Sequence, residues 1–451
     1  MNLPRLEVDI GIEVYATKTP GIGGKIRVIP EDFKVEEKLT DGSEAILQPE
    51  AAEPPRISEW GRFLLCVLTK KNEDNLIAVR RIAQSLQIAP DRVSIAGIKD
   101  ARALTAQYVT LAAVAPNRVS KLDLRGITIK PVRFVDEELK AHLLYGNRFQ
   151  TIIRAVNLDE ATAVKRIKSI EREIEESGGI PNFFGHQRFG TVRPITHRVG
   201  YYIVKKDLER AAMTFLSQRS VFEPPSTKEA RQLLSETRDF KTALERFPRR
   251  LLYERLMLRH LAKYPKDFLG ALHRLPSKLQ KLFVQAYQSY LFNRFLSERI
   301  GREIPLSEPQ LGDYVIGLDD LGLPTEECCK ATEENVSKIR QAIERGKAGI
   351  AIPIIGPRQP TSGGVQGGIE EKILTEENMR PGDFHIPQMP ETTSPGSLRL
   401  VLTPMIGLQV REPLEDQLNP DRIMIGLGFT LRRGSYATIL LREFMKPISL
   451  P

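Results

Sequence analysis

Short runs in which apolar and polar residues alternate fill the first 150 positions. "KIRVI" (25–29) and "FKVEEKL" (33–39) lie either side of Pro30. "RFLLCVLT" (62–69) sets Phe63, Leu65 and Val67 in alternation, so strands are predicted in all three. A helix interrupts them in "EDNLIAVRRIAQSLQI", where Leu76, Val79, Ile82, Ala83 and Leu86 share one face and Pro90 follows. "VSIAGI" and "TAQYVTL" read as strands again, with Lys99 and Asp100 in the turn between them. Period-3.6 spacing returns in "LDEATAVKRIKSIEREIEESGG", which places Val164, Ile167, Ile170 and Ile174 on one side and stops at Gly178 and Gly179.

From about 195 to 390 the chain turns basic and helix-rich, with its strongest helix in "SKLQKLFVQAYQSYLFNRFLSER". "GPRQPTSGGVQGG" and "PQMPETTSPGS" read as loops. Strand-like sequence resumes in "LRLVLTPMIGLQV" and "GLGFTLRRGSYATILLREFM". Strands, then helices, then strands predict an α+β fold: a catalytic domain begun by residues 1–190, interrupted by an inserted helix-rich domain over 191–395, and closed by strands in 396–451.

Composition narrows the function classes. No apolar run approaches membrane-span length, and "MNLPRLEVDIGIEV" has acids where a signal peptide needs an apolar stretch, so a cytoplasmic protein without membrane contact is expected. Cys66, Cys328 and Cys329 make no disulfide framework and lack zinc-knuckle spacing. The six histidines are scattered, so no metal is expected. Lys plus Arg outnumber Asp plus Glu by 66 to 57, a net charge of +9 that suits a polyanionic partner without demanding one.

Four stretches carry candidate chemistry. Asp100, in "SIAGIKDARALTAQYV", either stabilises a turn by accepting backbone N–H bonds or serves as an ionised nucleophile or base beside a cation. Lys99 would point to the opposite face of an extended segment, so that cation should come from elsewhere. "IPNFFGHQRFG" joins the amide of Asn182 to the flat faces of Phe183, Phe184 and Phe189. That suits a pocket for an extruded base, although an aromatic core turn explains the same residues. "VQAYQSYLFNRF" reads as core packing in which only Gln285, Gln288 and Asn293 hint at polar recognition, and Arg432, Arg433 and Arg442 could meet phosphates. No glycine-rich phosphate loop, zinc motif or serine-hydrolase elbow competes with them.

Together these segments resemble the TruD family of tRNA pseudouridine synthases. "PEDFKVEEKL", "AGIKDARALTAQ", "GNRF", "PNFFGHQRFG", "QAYQSYLFN" and "GSYATILLRE" occur in the family's order and cover about residues 25 to 445. The resemblance implies a pseudouridine-synthase catalytic domain on a mixed, largely antiparallel sheet, with an inserted α-rich domain forming the other wall of an RNA cleft. It implies that Asp100 is the catalytic carboxylate and that Arg27 is the basic residue paired with it. Phe184 would stack on the target base beside Asn182, with Phe33, Glu37, Gln187 and Arg188 at substrate-binding positions. Arg432 stands where the family has a proline after "FxL". The implied reaction is isomerisation of a uridine of tRNA, uridine 13 by family likeness, without cofactor or metal and by a protein expected to be a monomer. A noncatalytic RNA-binding or RNA-chaperone protein and an RNA N-glycosidase are the rival readings.

Overall fold

The computed structural model describes residues 3–47 and 61–447. They form two compact units: Thr17–Ile180 with Thr403–Pro447, and the stretch up to Ala16 with Pro181–Leu402. The sequence pattern expects the changes at 190/191 and 395/396, and it gives the first sixteen residues to the other unit.

The first unit is built on a sheet whose main path runs Ile406–Val410, Ile423–Arg432, Leu144–Val156, Phe33–Leu39, Leu104–Ala112, Phe63–Lys71, Ile127–Val135. Along this path neighbours are antiparallel except Phe33–Leu39 and Leu104–Ala112, which run parallel with Lys34 opposite Leu104. The sheet is therefore mixed and largely antiparallel. Alternation explains its two buried faces. Leu64, Cys66 and Leu68 pack with Val109, Leu111 and the helix Asn75–Ser85 on one side. Leu65, Ala106, Tyr108 and Leu144 pack on the other. Phe33, Phe149 and Phe429 form an aromatic row across three adjacent strands, with centroids 6.0 and 5.3 Å apart.

Several elements differ from the pattern's reading, each for a local reason. "KIRVI" is not a strand: only Lys25 bridges, to Arg154, and Arg27 adopts φ 60°, which ends extended pairing. Leu76 is exposed, because Asp74 caps the helix there and the buried stripe runs through Ala78, Val79, Ile82 and Ala83. In the helix Glu160–Glu176, Ala163 rather than Val164 completes the fully buried face with Ile167, Ile170 and Ile174. The closing "YATILLREF" forms the helix Ala437–Met445, buried almost all round; a short apolar run of this kind also suits a buried strand. Arg432 continues the strand Ile423–Arg432, pairing with Gly146.

The second unit is helical around Ser277–Gly301, which packs against Thr196–Val204. Its middle is buried on most sides, and its polar residues bond inward. Asn293 and Ser297 donate to the carbonyls of Ile10 and Gly11, and Arg299 pairs with Asp313 at 2.8 Å with both side chains fully buried. This unit also contains an antiparallel sheet that the helix-rich reading does not include, ordered Ser397–Leu400, Ala348–Ile354, Tyr314–Leu318, Pro324–Lys330. "GPRQPTSGGVQGG" is not all loop, since the helix Gly364–Glu376 starts inside it. Gly364 has φ 54°, and a Cβ there would lie 2.1 Å from the Leu311 carbonyl, so glycine is required where the helix begins. Among the described residues, no helix is long and apolar enough to cross a membrane, and no group of three or more His, Cys, Asp or Glu could hold a metal ion.

Candidate active site

The one parallel pairing in the main path determines which loops meet. Phe33–Leu39 and Leu104–Ala112 begin side by side, so the segments leading into them, carrying Arg27 and Asp100, reach the same end of the sheet. Phe63–Lys71 runs antiparallel to Leu104–Ala112, with Lys71 opposite Leu104, so Lys70 arrives at that end too.

Arg27 Nη2 lies 3.0 Å from Asp100 Oδ1, both side chains about four-fifths covered. The guanidinium carbon sits 4.0 Å from the Phe33 ring centroid, so the cation is held by an aromatic face and aimed at the carboxylate. Its segment is pinned at both ends. Lys25 exchanges backbone hydrogen bonds with Arg154, and Asp32 accepts from Arg154 Nε at 2.8 and 2.9 Å while Asp416 accepts from Nη1 at 3.0 Å. Gly24 permits this approach at φ 86°, since a Cβ would stand 2.6 Å from Ile153 Cγ2 and 2.7 Å from the Arg154 carbonyl.

Lys99 meets Glu37 Oε1 at 2.5 Å in a pair with almost no exposure. Glu37 Oε2 accepts from the Tyr108 backbone N–H. This carboxylate therefore ties the Asp100 loop to two strands. Phe33 and Glu37 are both wholly buried, Phe33 against the Arg27 guanidinium and Glu37 against Lys99.

Lys70, which the sequence reading passed over, is also buried, and its Nζ donates to the carbonyl oxygens of Asp100 (2.7 Å) and Glu73 (2.9 Å). Burial pushes its pKa down to about 8, against the opposing pull of Asp100, Asp74 and Glu73. Below that value the folded protein holds an ammonium that the unfolded chain would solvate. As pH rises from about 8 towards the ordinary 10.5, the folded state sheds the proton while the unfolded chain keeps it, so this cost fades. The stability of the wild type relative to Lys70→Met is thus expected to rise across that window. Urea midpoints of both proteins at about pH 7.5 and about pH 9.5 check it; a constant or shrinking difference would contradict the sign.

On the second unit, Asn182, Phe184, Gln187 and Arg188 lie in one segment. Asn293 grips the Phe184 backbone on both sides, its Oδ1 accepting from the N–H at 2.8 Å and its Nδ2 donating to the carbonyl at 3.0 Å. The Phe184 ring meets Phe292 edge-on at 5.5 Å. Arg188 donates to Ser289 Oγ (3.1 Å) and Gln285 Oε1 (3.4 Å), and Gln187 is exposed. Of the polar residues the sequence singled out on the long helix, Gln285 and Asn293 therefore hold this segment, and Gln288 bonds the Ile355 carbonyl. Arg399, which carries no sequence signal beyond its charge, also belongs to the group, donating to the carbonyl oxygen (2.9 Å) and Oδ1 (2.6 Å) of Asn182.

The first group can thus present an oriented carboxylate, and the second holds an aromatic ring beside a fixed amide, with Phe184 8% and Asn182 9% exposed. Comparison with known proteins gives the pair a context. Residues 9–444 match the family described as tRNA pseudouridine synthase D (TruD). The chain is 37% identical over 446 residues to the probable tRNA pseudouridine synthase D of Methanococcoides burtonii, covering 99% of this chain and 98% of that one. It is 38% identical over 450 residues to the protein of the same name from Methanosarcina acetivorans, with the same shares covered. A crystal structure of the putative tRNA pseudouridine synthase D from Methanosarcina mazei superposes with a TM-score of 0.82 at 36% identity, covering 99% of both chains.

Proposed function

The chain belongs to the TruD family of tRNA pseudouridine synthases, isomerases that convert uridine to pseudouridine, and on that premise we propose that Asp100 is the carboxylate that opens the reaction. The observation that carries this assignment is the Arg27–Asp100 pair at 3.0 Å, set at the end of the sheet where three strands bring their loops together.

Pseudouridine formation breaks the bond between ribose C1′ and uracil N1, turns the base, and joins C5 to C1′. Asp100 acts at the ribose, as a nucleophile on C1′ or as the base that removes a ribose proton. Arg27 fixes the rotamer that does so. Phe33 and Glu37, being buried, serve as supports: Phe33 as the face under Arg27, Glu37 as the partner that anchors Lys99. On the motif match, Phe184 stacks on the target uracil, a contact of about 1–3 kcal/mol, and Asn182 holds the base's polar edge. Gln187 and Arg188 contact the neighbouring RNA.

The target assigned by family likeness is uridine 13 of tRNA, modified in the cytoplasm. Its test is carbodiimide-dependent mapping of a tRNA transcript after incubation with the enzyme. A stop at position 13, absent from a transcript with cytidine there, supports the assignment. A stop elsewhere moves the target.

A further inference from the structure

We propose that Arg399 is a positioning residue for the departing uracil: its guanidinium backs the Phe184 ring and locks Asn182, so that this ring and amide receive a base carrying negative charge. The inference rests on the reading of Phe184 as the stacking ring.

The geometry is confined to one unit. Arg399 stands on Ser397–Leu400, where it pairs with Ile352, and its guanidinium carbon lies 4.0 Å from the Phe184 centroid. Two further bonds reach Asn182, to its carbonyl oxygen and to Oδ1. A guanidinium only donates, so Oδ1 must be the atom that faces it, and Nδ2 then donates one hydrogen to the Leu400 carbonyl at 3.1 Å. The second Nδ2 hydrogen is thereby given a direction, and the amide cannot flip without losing both partners.

The cation also changes what the ring can accept. The face of a phenyl ring is the negative part of its quadrupole, which resists an anion stacked upon it. A guanidinium over the ring draws that density towards itself, and Arg188, with its guanidinium carbon 5.7 Å from the same centroid, adds to this, so a base reaching the part of Phe184 that stays exposed, 8% of the residue, meets less repulsion. The reaction produces such a base. When the N1–C1′ bond breaks, its electron pair goes to N1. C5 then attacks C1′, the C5 proton leaves, and N1 takes up a proton, so atoms and charge balance over the whole isomerisation. Charge resides on uracil only between bond breaking and bond making. An interaction strongest in that interval alters kcat and leaves KM little changed.

The test compares single-turnover base cleavage in tRNA carrying uridine or 5-fluorouridine at the target, followed as loss of the parent nucleoside from nuclease digests. Fluorine makes the base a weaker, better-leaving anion that needs less help. Arg399→Met is expected to slow uridine by about 30-fold, with KM within about threefold, and to slow 5-fluorouridine by no more than about fivefold. Arg399→Lys keeps the charge and is expected to lose less while showing the same dependence; it replaces the Met variant should that one fail to fold. Equal losses on both substrates, a loss confined to KM, or no loss overturns the proposal. Phe184→Leu separates the two readings. If it leaves the rate intact, the stacking role itself falls; if it slows the reaction while Arg399→Met does not, only the role of Arg399 falls.

Discussion

Asp100→Asn is expected to abolish pseudouridine formation, by about 10⁴-fold or more, while tRNA affinity stays within about threefold. The substitution keeps size and shape. Its Oδ1 still accepts from Arg27 Nη2, and Lys70 holds the main-chain carbonyl of residue 100, which the change does not touch. The loop should therefore stay in place, and only the negative charge and basicity of the carboxylate are removed. A rate of zero with binding retained would follow from a chemical role. A comparable loss of affinity or of thermal stability would instead make Asp100 a turn residue.

Arg27→Met is expected to cost about 100-fold in kcat, with KM changed by no more than a few-fold. Methionine can lie on the Phe33 ring where the guanidinium now sits, but it offers no donor to Asp100. The carboxylate then loses the donor that orients it, and misplacement of a reacting group by about 1 Å can cost about 10²-fold. Arg27→Lys restores a cation on a shorter reach and should recover part of the loss. The strained φ of 60° is kept in both variants, so backbone cost does not confuse the comparison. Single-turnover and steady-state rates on one tRNA transcript separate kcat from KM. A change in KM alone would make Arg27 a phosphate contact.

Helical period made the helices Asn75–Ser85 and Glu160–Glu176 legible because each buries one stripe, and alternation made several sheet strands legible because successive residues enter opposite faces. The pattern failed where burial was complete or where backbone geometry ruled. Ala437–Met445 is covered almost all round and its short apolar run suits a buried strand as well, and Gly364–Glu376 begins among glycines demanded by a close backbone approach. "KIRVI" alternates like a strand, yet a left-handed Arg27 interrupts it. That same interruption aims the guanidinium at Asp100, so the misread residue is one of the proposed catalytic pair.

The candidate site was readable in its chain-local parts, namely an acid in a turn and aromatics beside an amide. Its distant supports were not. Lys70 lies 30 residues from the carbonyl it holds, and Arg399 lies 217 from Asn182. In sequence each is one more cation in a basic chain. Only the parallel pairing of Phe33–Leu39 with Leu104–Ala112 reveals why Arg27 and Asp100 meet, and no periodicity states which strands will be neighbours.

The most direct test of the central claim uses a tRNA transcript whose uridines carry tritium at C5. Joining C5 to C1′ expels that hydrogen, so isomerisation releases tritium to water. The wild type should release one equivalent per tRNA, matched by one pseudouridine and no free uracil, and Asp100→Asn should release none. Free uracil in place of pseudouridine, or tritium release that survives in Asp100→Asn, would contradict the account.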